Sequence, residues 1–146
     1  MDTVLHRADK ETLSHLHFLD LLLGQQAAAR RERSVEYRIR EARFAERKTL
    51  ETFDWKFNPQ IDRLQIEELA SGDFIRRQTN LIFVGQAGVG KSHLIQAIGM
   101  RACAAGYRVL YCTSSGLLAD LTASLADKTL PLRLRRYQRP EFLIID

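Results

Sequence analysis

Gly85-Gln86-Ala87-Gly88-Val89-Gly90-Lys91-Ser92 carries glycines, a lysine and a hydroxyl at the spacing G-x-x-x-x-G-K-[ST]. Residues of these types in this order suit a bound triphosphate. The glycines let the backbone curl and aim its N–H groups at phosphate oxygens. Lys91 can reach the β- and γ-phosphates, and the Ser92 hydroxyl is a ligand for Mg²⁺. A helix starting at Lys91 adds its positive dipole end to the same place.

A carboxylate is the second chemical element. Phe142-Leu143-Ile144-Ile145-Asp146 is an apolar run ending in Asp, the pattern of the motif known as Walker B. In nucleoside triphosphatases that Asp acts on Mg²⁺ opposite the loop hydroxyl. Asp146 therefore pairs in function with Ser92. Four apolar residues and an Asp say little alone; placed after a phosphate loop, with one strand between, they say considerably more.

Elements must position these groups. Leu81-Ile82-Phe83-Val84 is a short apolar run that feeds straight into Gly85, and it reads as a buried strand. Leu94, Ile95, Ala97, Ile98 and Ala102 keep helical spacing up to Gly106, a plausible stop. Tyr107 to Cys112 is expected to be a second strand. Ser114 or Ser115 is expected to cap a helix carrying Leu117, Leu118, Leu121 and Leu125. A basic segment with Arg133, Arg135, Arg136 and Arg139 precedes the run to Asp146. Strands alternating with helices predict an α/β fold with a parallel sheet and right-handed crossovers.

Upstream, the chain to about Lys56 reads as a helical module, residues 1–56, before a core over 57–146. Leu13, Leu16, Leu19 or Asp20, and Leu23 share one helical face, which Gly24 would loosen. A second helix is expected from Ser34 to about Leu50, with Val35, Ile39 and Ala42 as a narrow apolar stripe. Asn58-Pro59 resembles the start of another helix, with Ile61, Leu64 and Leu69 inward and Gly72 at its end. Asp73-Phe74-Ile75 leads to the loop strand, and Phe74-Ile75 is a candidate for the adenine pocket. Phe53-Asp54-Trp55-Lys56-Phe57 is an aromatic cluster that either docks the helical module or stacks on a base.

From Arg30 to Lys48 there are eight basic residues against four acidic ones. Arg40, Arg43 and Arg47 would lie on one face of the second helix. That face could follow a phosphate backbone, or be a solvated surface supported by pairs such as Glu36 with Arg40. The net charge of +4 over 146 residues permits an anionic partner without requiring one. No apolar run approaches the ~20 residues of a membrane span, and Met1-Asp2-Thr3 does not open an export signal. Cys103 and Cys112 form no C-x-x-C pattern, and His6, His15, His17 and His93 form no ligand set, which excludes a structural zinc site. Buried free thiols in a reducing cytoplasm are the expectation.

The stretch from about Leu16 to Asp146 resembles the N-terminal half of an IstB-like ATPase, a transposition helper. The resemblance rests on Tyr37-Arg38-Ile39-Arg40-Glu41-Ala42-Arg43-Phe44, Lys48-Thr49-Leu50-Glu51-Thr52-Phe53-Asp54, Asn80 to His93, Gly106-Tyr107-Arg108-Val109 and Phe142 to Asp146. It implies a P-loop NTPase sheet of AAA+ type, ATP and Mg²⁺ as cofactors, little-specific binding to DNA, self-assembly and a transposase partner. It implies a nucleotide site at Gly85, Gln86, Ala87, Gly88, Val89, Gly90, Lys91 and Ser92 with the adjoining His93, and a Mg²⁺ site at Ser92 and Asp146. Gln86 and Ala87 stand where such loops commonly carry two prolines; the backbone and Lys91 make the contacts, so phosphate binding should survive. The family is similar to DnaC-type helicase loaders, and that role stays open, as does a non-catalytic remnant binding nucleotide or DNA. In the AAA+ sheet a later strand lies between the loop strand and the Walker B strand. The sheet is therefore expected to be incomplete, with unpaired backbone groups, exposed apolar area and a tendency to aggregate. Without the Glu that often follows Asp146, or an arginine finger, nucleotide should be bound better than it is hydrolysed.

Overall fold

The computed structural model describes residues 15–146, in the order α1 (His15–Ala42), α2 (Arg63–Ala70), α3 (Asp73–Arg76), α4 (Lys91–Ala105), β1 (Val109–Cys112), α5 (Ser114–Ala126), α6 (Leu130–Gln138) and β2 (Phe142–Ile145). Leu13, the side chains of Leu16 and His15, His6 and the opening Met1-Asp2-Thr3 lie outside the described residues. Among the described residues, 15–36 and 37–146 fall in two compact units.

In the first unit, Leu19 and Leu23 are exposed rather than aligned on a buried face. No break occurs at Gly24 or Ser34; α1 runs through both. An interior glycine costs only about 1 kcal/mol against alanine, too little alone to stop a long helix. The expected extension to Leu50 does not occur. Arg43 turns into the left-handed region (φ 59°), and residues 44–62 run without helix or strand. Arg40, Arg43 and Arg47 consequently do not share a helical face.

The second unit packs around α4. Leu94, Ala97 and Ile98 meet Leu50, Phe53, Ile66 and Phe74 in one apolar cluster. Ala102 and Cys103 meet Ala42, Val109, Tyr111 and Ile144 in another. Gly99 allows the closest approach: a Cβ there would stand 2.7 Å from Ile144 Cδ1 and 2.8 Å from Phe44 Cε1. The segment after α1 is tied along α4 by polar contacts. The Glu46 N–H donates to Gln96 Oε1 at 3.2 Å, and Arg101 pairs with Glu51 at 2.5 Å. Gln96, buried, returns its own amide to the Ser92 carbonyl at 3.1 Å.

Between these residues and the loop, α2 starts at Arg63, not Asn58-Pro59. Asp62 is its N-cap and accepts from the Leu64 and Gln65 N–H groups, whereas Asn58 accepts from Gln60 through its side chain and from Ile61 through its carbonyl, in a turn. Ile66 rather than Leu64 is the buried residue; Leu64 is 76 % exposed. Gly72 follows the helix end in the left-handed region (φ 81°) and leads into the short α3, where a lead into a strand was expected.

β1 and β2 pair in parallel, Val109 opposite Phe142 through Cys112 opposite Ile145. The helices α5 and α6 occupy the crossover between them. Thr113, not Ser114 or Ser115, caps α5 by accepting from the Gly116 N–H. Leu118 and Leu125 on that helix are exposed. The expected strand 81–84 is not one. Ile82 and Val84 are 85 % and 90 % exposed. Facing β2 across a cleft of about 300 Å³, the segment has no ladder to join among the described residues. A strand exists through its pairing, and apolar composition alone does not supply one.

Candidate functional site

The loop 85–90 lies between the unpaired segment and α4. Two residues take conformations that glycine adopts without cost: Gly88 at φ 80° and Gly90, the N-cap of α4, at φ 96°. Together they turn the backbone so that Lys91 and Ser92 open the helix. The Lys91 ammonium donates back across its own loop, to the Gly85 carbonyl at 2.9 Å and the Gln86 carbonyl at 2.7 Å. It is thus centred over the curl where phosphate oxygens would lie. Exposed Gln86 and Ala87 leave the outer side of the loop open.

Ser92 and Asp146 come together although 54 positions separate them; the Ser92 hydroxyl donates to Asp146 Oδ1 at 2.8 Å. The parallel pairing of β1 and β2 brings Asp146 here. Its N–H donates to the Cys112 carbonyl at 3.0 Å, and its carbonyl accepts from the Ser114 N–H at 2.7 Å. The other carboxylate oxygen, Oδ2, accepts from the Tyr111 hydroxyl at 2.8 Å. A hydroxyl and a carboxylate converging beside a phosphate loop are the hard oxygen donors that Mg²⁺ selects. This ion keeps several waters and takes few protein ligands, so two suffice. Among the described residues no group of three or more His, Cys, Asp or Glu could hold a metal by protein ligands alone.

His93 is turned elsewhere. Its Nε2 lies 2.9 Å from the Thr49 carbonyl and 3.4 Å from Thr52 Oγ1, so its ring belongs to the segment packed on α4. Phe53 lies beside it, edge-on at 5.1 Å between ring centroids. The Phe53 ring also lies against the loop: a Cβ on Gly90 would stand 2.7 Å from Phe53 Cε2. Phe53 therefore packs rather than stacks on a base, and Trp55 meets it edge-on at 4.9 Å. Phe57 is exposed. Phe74 is buried against Phe142, ring centroids 5.1 Å apart, and Ile75 packs into both apolar clusters. Neither offers an adenine surface. The loop instead borders a cleft of about 790 Å³ whose walls include Asn58, Ile61, Asp62, Leu81 and Val89.

Tyr111, Phe53 and Gln96 are functional neighbours that the motif alone did not indicate. Tyr111 sits one residue before the end of β1, so its place beside Asp146 follows only once the register with β2 is known. Both cysteines are free thiols, as expected, with Cys103 fully buried and Cys112 half-buried.

Burial raises the Tyr111 phenol from 10.0 to about 12, helped by its hydrogen bond to Asp146, and burial raises the Cys103 thiol from 9.0 to about 11. The unfolded chain gives up these protons at the lower values, whereas the fold retains them. Stability should therefore be complete below about pH 9 and fall progressively between about pH 9 and 12. Urea denaturation across that window checks this; Tyr111→Phe should flatten its upper part, and an unchanged slope would remove Tyr111 from the account.

The chain matches the family model described as IstB-like ATP binding protein over residues 1–146. It is 38 % identical over 146 residues to an insertion sequence IS21 ATP-binding protein of Pseudomonas aeruginosa, covering the whole of this chain and 55 % of that protein. An insertion sequence IS5376 ATP-binding protein of Geobacillus stearothermophilus is 35 % identical over 139 residues, 95 % of this chain and 55 % of the relative. An insertion-sequence ATP-binding protein of Mycobacterium tuberculosis is 32 % identical over 146 residues, 58 % of its length. The chain thus spans a little over half the length of these relatives. No helix among the described residues is long and apolar enough to cross a membrane.

Proposed function

Because the chain belongs to the IstB-like ATP-binding family, we propose that it binds ATP with Mg²⁺ and acts, on DNA, as the nucleotide-dependent helper of a transposase. The observation that carries the nucleotide part is the convergence of Lys91, Ser92 and Asp146 at the glycine loop. The loop N–H groups and the α4 N-terminus hold the β- and γ-phosphates, and Lys91 exchanges the two loop carbonyls for phosphate oxygens. Ser92 and Asp146 would hold Mg²⁺, which would neutralise charge on the phosphates. Tyr111 keeps the Asp146 carboxylate oriented. The base would face the cleft beside Asn58, Ile61 and Val89, which the loop borders.

The transposase as partner, rather than a replicative helicase, is supported by the relatives, which are named for insertion sequences. The sheet is of AAA+ type in this reading: the cleft between 81–84 and β2 is where a further parallel strand would sit. Its absence from the pairing accounts for the exposed Ile82 and Val84.

Titration with a fluorescent ATP analogue and Mg²⁺ tests the nucleotide reading. Lys91→Ala should weaken binding by about 10–100-fold, the worth of roughly one charge-assisted contact. Equal affinity in wild type and variant would mean that the nucleotide lies elsewhere.

A further inference from the structure

Five arginines from three distant parts of the chain meet in one cleft of about 570 Å³ within the second unit. Arg38 comes from the last turns of α1 and Arg43 from the left-handed turn just after it. Arg108 precedes β1, Arg136 lies near the end of α6, and Arg139 is the C-cap of that helix. Tyr37 completes the wall. Glu41 is the one carboxylate lining it.

Guanidinium groups do not shed their protons to relieve mutual repulsion. Beside Glu41, two nearby carboxylates are already engaged. Glu141 takes the Arg108 side chain at 3.4 Å and also its backbone N–H. Asp120 is shared between Arg133 at 3.3 Å, Arg136 at 3.7 Å and the Tyr137 hydroxyl. Arg38 donates weakly to the Cys103 carbonyl at 3.5 Å, and that bond neutralises nothing. A positive excess remains at the mouth. Helix C-termini favour cations and account in part for Arg136 and Arg139. They do not account for Arg108, which stands before a strand, nor for the convergence of α1 and α6 on one cleft.

From this we propose that the cleft is a binding site for the phosphate backbone of duplex DNA. The inference rests on the DNA-associated reading above and relocates the contact from the Arg40, Arg43 and Arg47 face, which the end of α1 at Ala42 does away with. Arginines recognise phosphate through paired N–H donors. Single strands also require aromatic platforms for their bases. Here the lining offers one aromatic, Tyr37, whose ring already has the Arg40 guanidinium 5.9 Å from its centroid. That composition favours duplex backbone over splayed bases.

The test compares the wild-type chain with two triple variants, Arg108→Gln/Arg136→Gln/Arg139→Gln and the same positions changed to Lys. Affinity for a random-sequence duplex is measured between 50 and 200 mM salt on the order used for counterion-release slopes. The glutamine set should lose about tenfold or more in affinity at the lower salt, and its salt slope should fall by about one for each phosphate contact removed. The lysine set should keep most of the slope. ATP-analogue affinity should be unchanged in both, since none of the three positions touches the loop. If the wild type binds duplex and the glutamine set matches it in affinity and slope, the cleft is not the contact, although DNA association stands. If the lysine set loses as much as the glutamine set, the arginines act on structure, not on phosphate charge. Preference for a single strand over the duplex overturns the assignment as well. A wild type that binds no DNA overturns both this site and the DNA-associated reading, leaving nucleotide binding to be judged by Lys91→Ala.

Discussion

Phe53→Ala is expected to destabilise the protein by about 3–5 kcal/mol, the usual cost of emptying a buried phenylalanine site. The ring is 8 % exposed and lies in the cluster with Leu50, Ile66, Phe74 and Leu94. Its surroundings resist collapse because they are held by a second part of the chain: Trp55 and His93 flank it edge-on, and Gly90, at the start of α4, presses on its rim. A cavity there would also remove the floor from beneath the N-cap of α4. Nucleotide affinity should fall with stability. Urea denaturation measures the first effect and analogue titration at low denaturant the second. A loss below about 1 kcal/mol would place the ring in a site that repacks, contrary to the account given.

Gly90→Ala carries the second large effect, through two separable causes. A φ of 96° is a conformation that L-residues avoid at a cost of roughly 1–2 kcal/mol. The new methyl would also stand 2.7 Å from Phe53 Cε2, and relieving such an overlap costs about 1–3 kcal/mol more. Only the second cause depends on Phe53. In the Phe53→Ala background, Gly90→Ala should therefore cost the backbone part alone. The double-mutant cycle should be non-additive by at least about 1 kcal/mol. Strict additivity would show that ring and loop do not touch in solution.

These two residues mark what the sequence could and could not convey. Gly90 was legible because the motif fixes its spacing to Lys91, and helix-period residues after Ser92 announced α4. The pairing of Ser92 with Asp146 was legible for the same reason: both ends of that contact sit at element boundaries which their neighbours define. Phe53 was visible only as one aromatic among several. Whether such a ring packs or stacks depends on what lies above it, and that is settled by contacts between residues far apart in the chain. Helix limits failed where local signals competed. Asn58-Pro59 and Asp62 both offer N-caps, and packing of Ile66 selects the latter. Ser34 also suits an N-cap, but α1 passes through it since nothing there obliges the backbone to leave the helix. The segment 81–84 shows the opposite limit. Its composition describes a strand, yet a strand forms by pairing with a second segment, and among the described residues none pairs with it.

The chain contains a single tryptophan, and the fold has put it to use as a witness. Trp55 touches Phe53, and Phe53 touches Gly90, so one aromatic ring is all that separates the indole from the phosphate loop. The Arg63 guanidinium lies over the indole ring, 5.3 Å from its centroid. A shift of the backbone at Gly90 would move against the Phe53 ring, the indole's neighbour. Emission from this one native residue, without label or substitution, is therefore expected to respond when nucleotide shifts the glycine turn.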